Sequence, residues 1–259
     1  MGILNRTKDS FFASAATYDL DAFFARAERL VDEGADLLDV GGVKAGPGQE
    51  VRESEEIDRV TGVIASLRRR FDVPISVDTW RASVARAGYE AGACVGNDIS
   101  GFADPDYLRV AAEADASVVA THIRLRPRVA DPTPHYDDVT ETVRGFLIDR
   151  RQRALDAGVP AERIIVDAGL DLGKNTAQSL QLLRDSCEFA SLGAPLLLSA
   201  SNKTFLGELF DLPVDARREP SIAATALGIA AGCRVVRVHD VRGSVRVRDA
   251  IERILEASS

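Results

Sequence analysis

The 259-residue sequence predicts an α/β protein of the (β/α)8, or TIM, barrel class, with residues 1–259 forming a single domain. Eight short apolar runs alternate with stretches of helical period, and parallel strands need crossovers of that kind. The chain also has the length that eight such units require. No Gly-x-Gly-x-x-Gly turn follows the first strand, which argues against an open, doubly wound sheet.

The elements follow in order. Residues 2–4 read as a strand ending at Asn5, and a polar loop runs through Thr17. From residue 19 to 34, Leu20, Phe23, Phe24, Ala27, Leu30 and Val31 recur at helical spacing before a glycine stop. The strand at 37–42 then enters a loop containing Gly46, Pro47 and Gly48, which forbid regular structure. Asp39 interrupts that strand, and a carboxylate in a buried strand needs a partner. A helix over 53–70 opens on acids and closes on three arginines, as the helix dipole favours. Strands are expected at 74–79, 94–99, 117–123, 163–167, 195–200 and 235–238, and helices at 81–91, 104–114, 137–157, 176–190 and 244–257. A helical region ends near Ala231, and residues 124–135, rich in Arg and Pro, form the longest irregular excursion.

Composition narrows the function. With 46% apolar and 28% charged residues the chain is an ordinary globular sequence, and its formal charge of −8 disfavours nucleic acid and anionic membrane as partners. Any bound phosphate must meet a local basic site. Cys94, Cys187 and Cys233 are widely spaced in apolar stretches and read as buried free thiols, which suits a cytoplasmic location. Neither a membrane span nor a signal-peptide core is expected.

In a barrel the site lies at the carboxyl ends of the strands. Those ends carry Asn5, Asp39, Asp78, Asn97 with Asp98, His122, Asp167, Ser201 with Lys203, and Arg237 with His239 and Asp240. Some can be helix caps, Asp98 among them. Asp78, Asn97, Asp167 and Lys203 instead suit a planar nitrogen heterocycle read edge-on, because carboxylates accept paired N–H bonds and an amide supplies both polarities. Arg237 and His239 alternate with Val236 and Val238, so they are expected to face one way and grip an anion together.

These residues fall in motifs that resemble the dihydropteroate synthases over nearly the whole chain. Gly-Ile-Leu-Asn-x-Thr-x-Asp-Ser-Phe stands at 2–11, Asp-Val-Gly-Gly at 39–42, Pro-Ile-Ser-Val-Asp-Thr at 74–79 and Asn-Asp-Ile at 97–99. Gly-Lys follows at 173–174, Ser-x-Lys at 201–203 and Arg-Val-His-Asp at 237–240. The resemblance implies a transferase that joins dihydropterin methyl diphosphate to p-aminobenzoate, releasing diphosphate in folate biosynthesis. It implies that Asp78, Asn97, Asp167 and Lys203 bind the pterin, and that Arg237, His239 and Asn5 meet the diphosphate and its Mg²⁺, with Asn5 as metal ligand and Lys203, Arg237 and His239 as the catalytic set. Thr204 would bind the aminobenzoate carboxylate through its hydroxyl and backbone N–H groups, and a homodimer is the implied assembly.

The departures cluster in loops. Where the family has Glu-Ser-Thr-Arg-Pro-Gly, this chain has Val43, Lys44, Ala45, Gly46, Pro47 and Gly48, and the first loop has lost its acid at residues 10–15. Asp-Pro-Gly-x-Gly-Phe-Gly-Lys becomes Asp167, Ala168, Gly169, Leu170, Asp171, Leu172, Gly173 and Lys174, and Ser-Arg-Lys becomes Ser201, Asn202 and Lys203. The second loop resembles that of divergent actinobacterial paralogues of the synthase. Two alternatives therefore stand beside the transferase: a pterin-binding paralogue with little or no synthase activity, and a methyltetrahydrofolate-type methyltransferase barrel, which the Arg237 and His239 pair disfavours. Lys44, Arg6, Arg124, Arg126 and Arg128 are the cations available to replace the lost charge.

Overall fold

The computed structural model describes residues 1–6 and 16–256, and in it eight strands lie in one parallel sheet in chain order. They are β1 (Gly2–Asn5), β2 (Leu38–Gly41), β3 (Ile75–Asp78), β4 (Val95–Asp98), β5 (Ser117–Thr121), β6 (Ile164–Asp167), β7 (Leu196–Leu198) and β8 (Val235–Val236). Helices carry the crossovers: α1 (Ala16–Asp32), α2 (Glu53–Arg70), α3 (Ala82–Glu90), α4 (Tyr107–Glu113), α5 (Val139–Asp156), α6 (Thr176–Arg184) and α7 (Ser186–Ala190). After β7 come α8 (Thr204–Glu208), α9 (Arg218–Ala230) and, beyond β8, α10 (Val241–Glu256). The sheet curls far enough that Gly2 bridges to Val238, with the Val238 N–H donating to the Met1 carbonyl at 3.0 Å.

The alternation of strand side chains builds the site in two layers. On the inner face, Met1, Val95, Val119 and Leu197 pack with Leu37, Ile165 and Val235 into an apolar plug. Two residues further along the same chain segments stand Asp39, Asn97, Thr121, Asp167, Ser199 and Arg237. A period of two puts that polar set on the same face, directly above the plug. The outer face buries Leu38, Val40, Ile75 and Val77 against Phe23, Leu30, Ile64 and Leu67, while Val166, Leu196 and Leu198 pack with Leu147, Leu182 and Phe189.

Several local expectations are corrected. The helix expected over 176–190 breaks at Asp185, where the backbone turns to ψ 15 and the side chain accepts from the Thr140 hydroxyl at 2.7 Å. The helical region before Ala231 is interrupted by Pro213 and a 3-10 turn at Val214–Ala216. The last strand stops at Val236, so Arg237 and His239 lie beyond it. All three cysteines are free, but only Cys233 is buried, because an apolar stretch buries just the side of the backbone that meets the core. Among the described residues no helix is long and apolar enough to cross a membrane. The first-loop departures at residues 10–15 lie outside the described residues.

Candidate pterin site

A cavity of about 150 Å³ opens at the carboxyl ends of the strands, and its lining includes Asn5, Asp78, Asn97, Asp167, Lys203 and Arg237. Those residues come from six strands or strand ends spread over the whole chain. Thr121 and Ser199 complete its polar floor, and Lys44, Ala45 and Leu172 contribute from the loops.

Arg237 ties the floor together. Its Nε donates to Asp39 and its Nη2 to Asp78, each at 2.6 Å, while Asn97 Nδ2 donates to Asp39 at 3.2 Å. Asp39 is fully buried, so the partner that its place in a strand demanded is an arginine from the far end of the chain. Burial opposes the Arg237 cation, yet Asp39 and Asp78 outweigh it and hold its pKa above the ordinary value. Burial lifts Asp78 to about 7, Arg237 opposing the rise and Asp39 adding to it. Burial also raises Asp167, against the Gly169 N–H that donates to its Oδ1 at 2.8 Å.

The loop after β6 is held from below by a second buried pair. Lys174 Nζ lies 2.8 Å from His122 Nδ1 and donates to the carbonyls of His122, Gly169 and Leu172 at 3.1, 2.7 and 3.1 Å. Burial lowers the Lys174 pKa and pushes His122 down to about 2, with Lys174 adding to the effect. The clip fixes Leu172 beside the cavity, and it is a role the sequence did not suggest for either residue. Gly169 is essential to it: its φ is +66, and a Cβ there would stand 1.9 Å from the His122 carbonyl oxygen. Gly169→Ala is expected to lose about 1–3 kcal/mol or more of stability in urea unfolding, since both strain and overlap must be relieved.

The remaining expected site residues are placed differently. His239 is absent from the cavity lining; its Nδ1 lies 2.9 Å from Ser201 Oγ, and burial lowers it to about 4, with Arg237 contributing. In place of the expected shared grip, Arg237 is drawn onto Asp39 and Asp78 while His239 pairs with Ser201. Thr204 lines a neighbouring cavity, and its backbone N–H is donated to Asp171, whose other oxygen accepts from Phe205 N–H at 3.2 Å. Asp171 therefore holds the backbone group expected to receive a substrate carboxylate.

The rebuilt second loop is pinned by arginines. Arg128 donates from its backbone N–H to the Ala45 carbonyl at 2.9 Å and from its guanidinium to the carbonyls of Lys44 and Gln49. Arg59 holds Gly42 O at 2.6 Å, and Arg81 holds Val51 O at 2.9 Å while pairing with the buried Glu56. Arg6 donates to Arg59 O at 2.7 Å, and Arg124 forks onto Asp131. Arg6, Arg124 and Arg128 are thus engaged away from this cavity, whose lining retains Lys44.

Residues 1–239, which carry this inner rim of acids, an amide, a lysine and an arginine above an apolar plug, match the family model described as Pterin binding enzyme. The chain belongs to the dihydropteroate synthase family. It is 45% identical to the "Inactive dihydropteroate synthase 2" of Mycobacterium leprae, covering 98% of this chain and 89% of that protein. It is 38% identical to the dihydropteroate synthase of Bacillus subtilis, covering 98% and 88% of the two chains. The crystal structure of Xanthomonas albilineans dihydropteroate synthase with 4-aminobenzoic acid superposes with a TM-score of 0.92 at 36% identity, covering 98% of this chain and 92% of that one.

Proposed function

We propose that this protein binds a dihydropterin in the cavity above the apolar plug and has little or no dihydropteroate synthase turnover. The observation that carries the reading is the contrast between an intact polar floor at the strand ends and a second-substrate region whose Thr204 N–H is already held by Asp171. The name of the M. leprae relative points the same way. The working-synthase reading is favoured by the B. subtilis relative and by the Xanthomonas structure, which holds 4-aminobenzoic acid.

In this proposal Asp78 and Asp167 accept ring and amino N–H groups, Asn97 supplies both polarities, and Lys203 donates to a ring acceptor. Arg237 stands by for an anionic leaving group through Nη1, which makes no hydrogen bond to a described residue. His239 acts on that group only through its place beside Arg237. Asn5 lines the cavity with an amide oxygen, and among the described residues no group of three or more His, Cys, Asp or Glu side chains could hold a metal. These donors fit Mg²⁺ carried by diphosphate oxygens and water with Asn5 as one ligand, rather than a resident ion. Such an ion would neutralise charge on the departing diphosphate. The finer architecture belongs to the same proposal: the Gly2 and Val238 bridge supports closure into a (β/α)8 barrel. Exposed Leu209, Phe210 and Leu227 support a homodimer, and three free thiols suit the cytoplasm.

Turnover tests the reading. Dihydropteroate formation far below about 1 s⁻¹, the low end of ordinary enzymes, is expected with both substrates and Mg²⁺ present, and a rate at or above that value overturns it. The pH dependence of binding follows from Asp78. Its carboxyl is raised to about 7, and only the ionised form accepts two N–H bonds, so pterin affinity is expected to rise with pH through neutrality. Below pH 7 the affinity should fall by up to about tenfold per unit, with proton release visible by calorimetry in two buffers. Asp78→Asn should flatten the profile.

A further inference from the structure

Beside the pterin cavity lies a second cavity of about 270 Å³, whose lining includes Asp131, Asp171, Lys174, Thr204, Phe205 and Glu208. The two spaces are neighbours through the backbone, since Leu172 and Lys203 line the first and Asp171 and Thr204 the second. We propose that Asp171 sets the specificity of this second site, so that it accepts a neutral arylamine and rejects one that carries a carboxylate. The inference rests on the reading that a dihydropterin fills the first cavity.

Three observations carry it. Asp171 accepts from the backbone N–H groups of both Thr204 and Phe205, so the chain's own carboxylate takes the donors an incoming carboxylate would need. Of the cations nearby, Arg124 is forked onto Asp131, Lys174 is buried on four acceptors, and Lys203 Nζ donates one N–H to the Leu170 carbonyl at 3.1 Å and turns towards the first cavity, whose lining it joins. Glu208, on the same lining, has the Thr176 hydroxyl as its partner, which leaves its charge in place. A benzoate entering here would meet the Asp171 and Glu208 carboxylates on the lining and find both N–H groups at the start of α8 already taken.

Asp171 also holds φ +67, a left-handed conformation that a side-chain-bearing residue adopts only at a cost. Glycine, which the family carries at the corresponding loop position, would hold it freely. The surrounding contacts overcome that cost to keep a carboxylate at this spot. A capping role alone is separable from a charge-selecting one, because asparagine keeps a capping oxygen and removes the charge.

The test is calorimetry on the full chain with 6-hydroxymethyl-7,8-dihydropterin, pyrophosphate and Mg²⁺ present. p-Aminobenzoate and its neutral isostere 4-aminobenzamide are then titrated separately. The intact protein is expected to bind the amide at least tenfold more tightly, and Asp171→Asn to reduce that ratio about tenfold. Asp171→Gly, which relieves the backbone instead of straining it, should shift the ratio the same way if the Asn variant folds poorly. Equal or tighter binding of p-aminobenzoate to the intact protein, a ratio unchanged in both variants, or pterin binding with neither arylamine bound would each overturn the proposal. Failure of the pterin itself to bind is read in its own titration; it overturns the pterin reading and this inference with it.

Discussion

Arg237→Ala is expected to be the most destabilising single change in the site, lowering unfolding free energy by about 3–5 kcal/mol, because it leaves a fully buried Asp39 and a mostly buried Asp78 without their shared cation. The loss should depend on pH in a stated direction. With Arg237 gone, the attraction that opposes the burial-driven rise of Asp78 is removed, and its folded-state pKa climbs further above the ordinary carboxylate value. A carboxyl raised in the fold contributes stability that is present below its unfolded value and is lost as pH rises through its folded value. The variant should therefore be closer to the parent at pH 5 than at pH 8 in urea unfolding. Arg237→Ala with Asp39→Asn should recover part of the loss, since the most deeply buried orphan charge is then removed. A variant as stable as the parent at pH 8 would show that the two carboxylates do not depend on this arginine.

Asp167→Ala is expected to weaken pterin binding by about 2–5 kcal/mol, as for other losses of one partner in a buried, charged hydrogen-bond set. The fold should survive better than in Arg237→Ala. Asp167 accepts from Gly169 within its own loop, and the Lys174 clip to His122 and the Gly169 carbonyl remains in place. Equilibrium dialysis of a dihydropterin against the folded variant checks this. Unchanged affinity would remove Asp167 from the site, whereas a loss matched by Asp167→Asn would show that the charge, rather than the oxygen alone, is what the ligand reads.

How far the sequence led can be traced residue by residue. The eight strands and their polar ends were legible because a buried parallel strand is an apolar run, and the change to polar residues at its end is visible without any long-range information. The need of Asp39 for a partner was legible too. The identity of that partner was not, since Arg237 is 198 positions away and meets it only when the sheet curls. Strand alternation puts Arg237 and His239 on one side but does not reveal that Arg237 is taken by Asp39 and Asp78 and His239 by Ser201, partners that lie far away in the chain. That Asp171 supplies the carboxylate at Thr204 is not legible in the sequence, because the contact depends on a left-handed residue in an irregular loop. The same limit hid the fate of the arginines: Arg128 lies in a loop whose path local pattern does not fix, and only the fold shows it spent on the carbonyls of Lys44 and Gln49.

Titration of the intact protein with 6-hydroxymethyl-7,8-dihydropterin reads out whether a pterin floor persists beneath a rebuilt second-substrate region. Saturable binding at one site per chain is expected, strengthening from pH 6 to pH 8 and abolished or greatly weakened in Asp167→Ala. Absence of saturable binding by a folded protein across that pH range would contradict it.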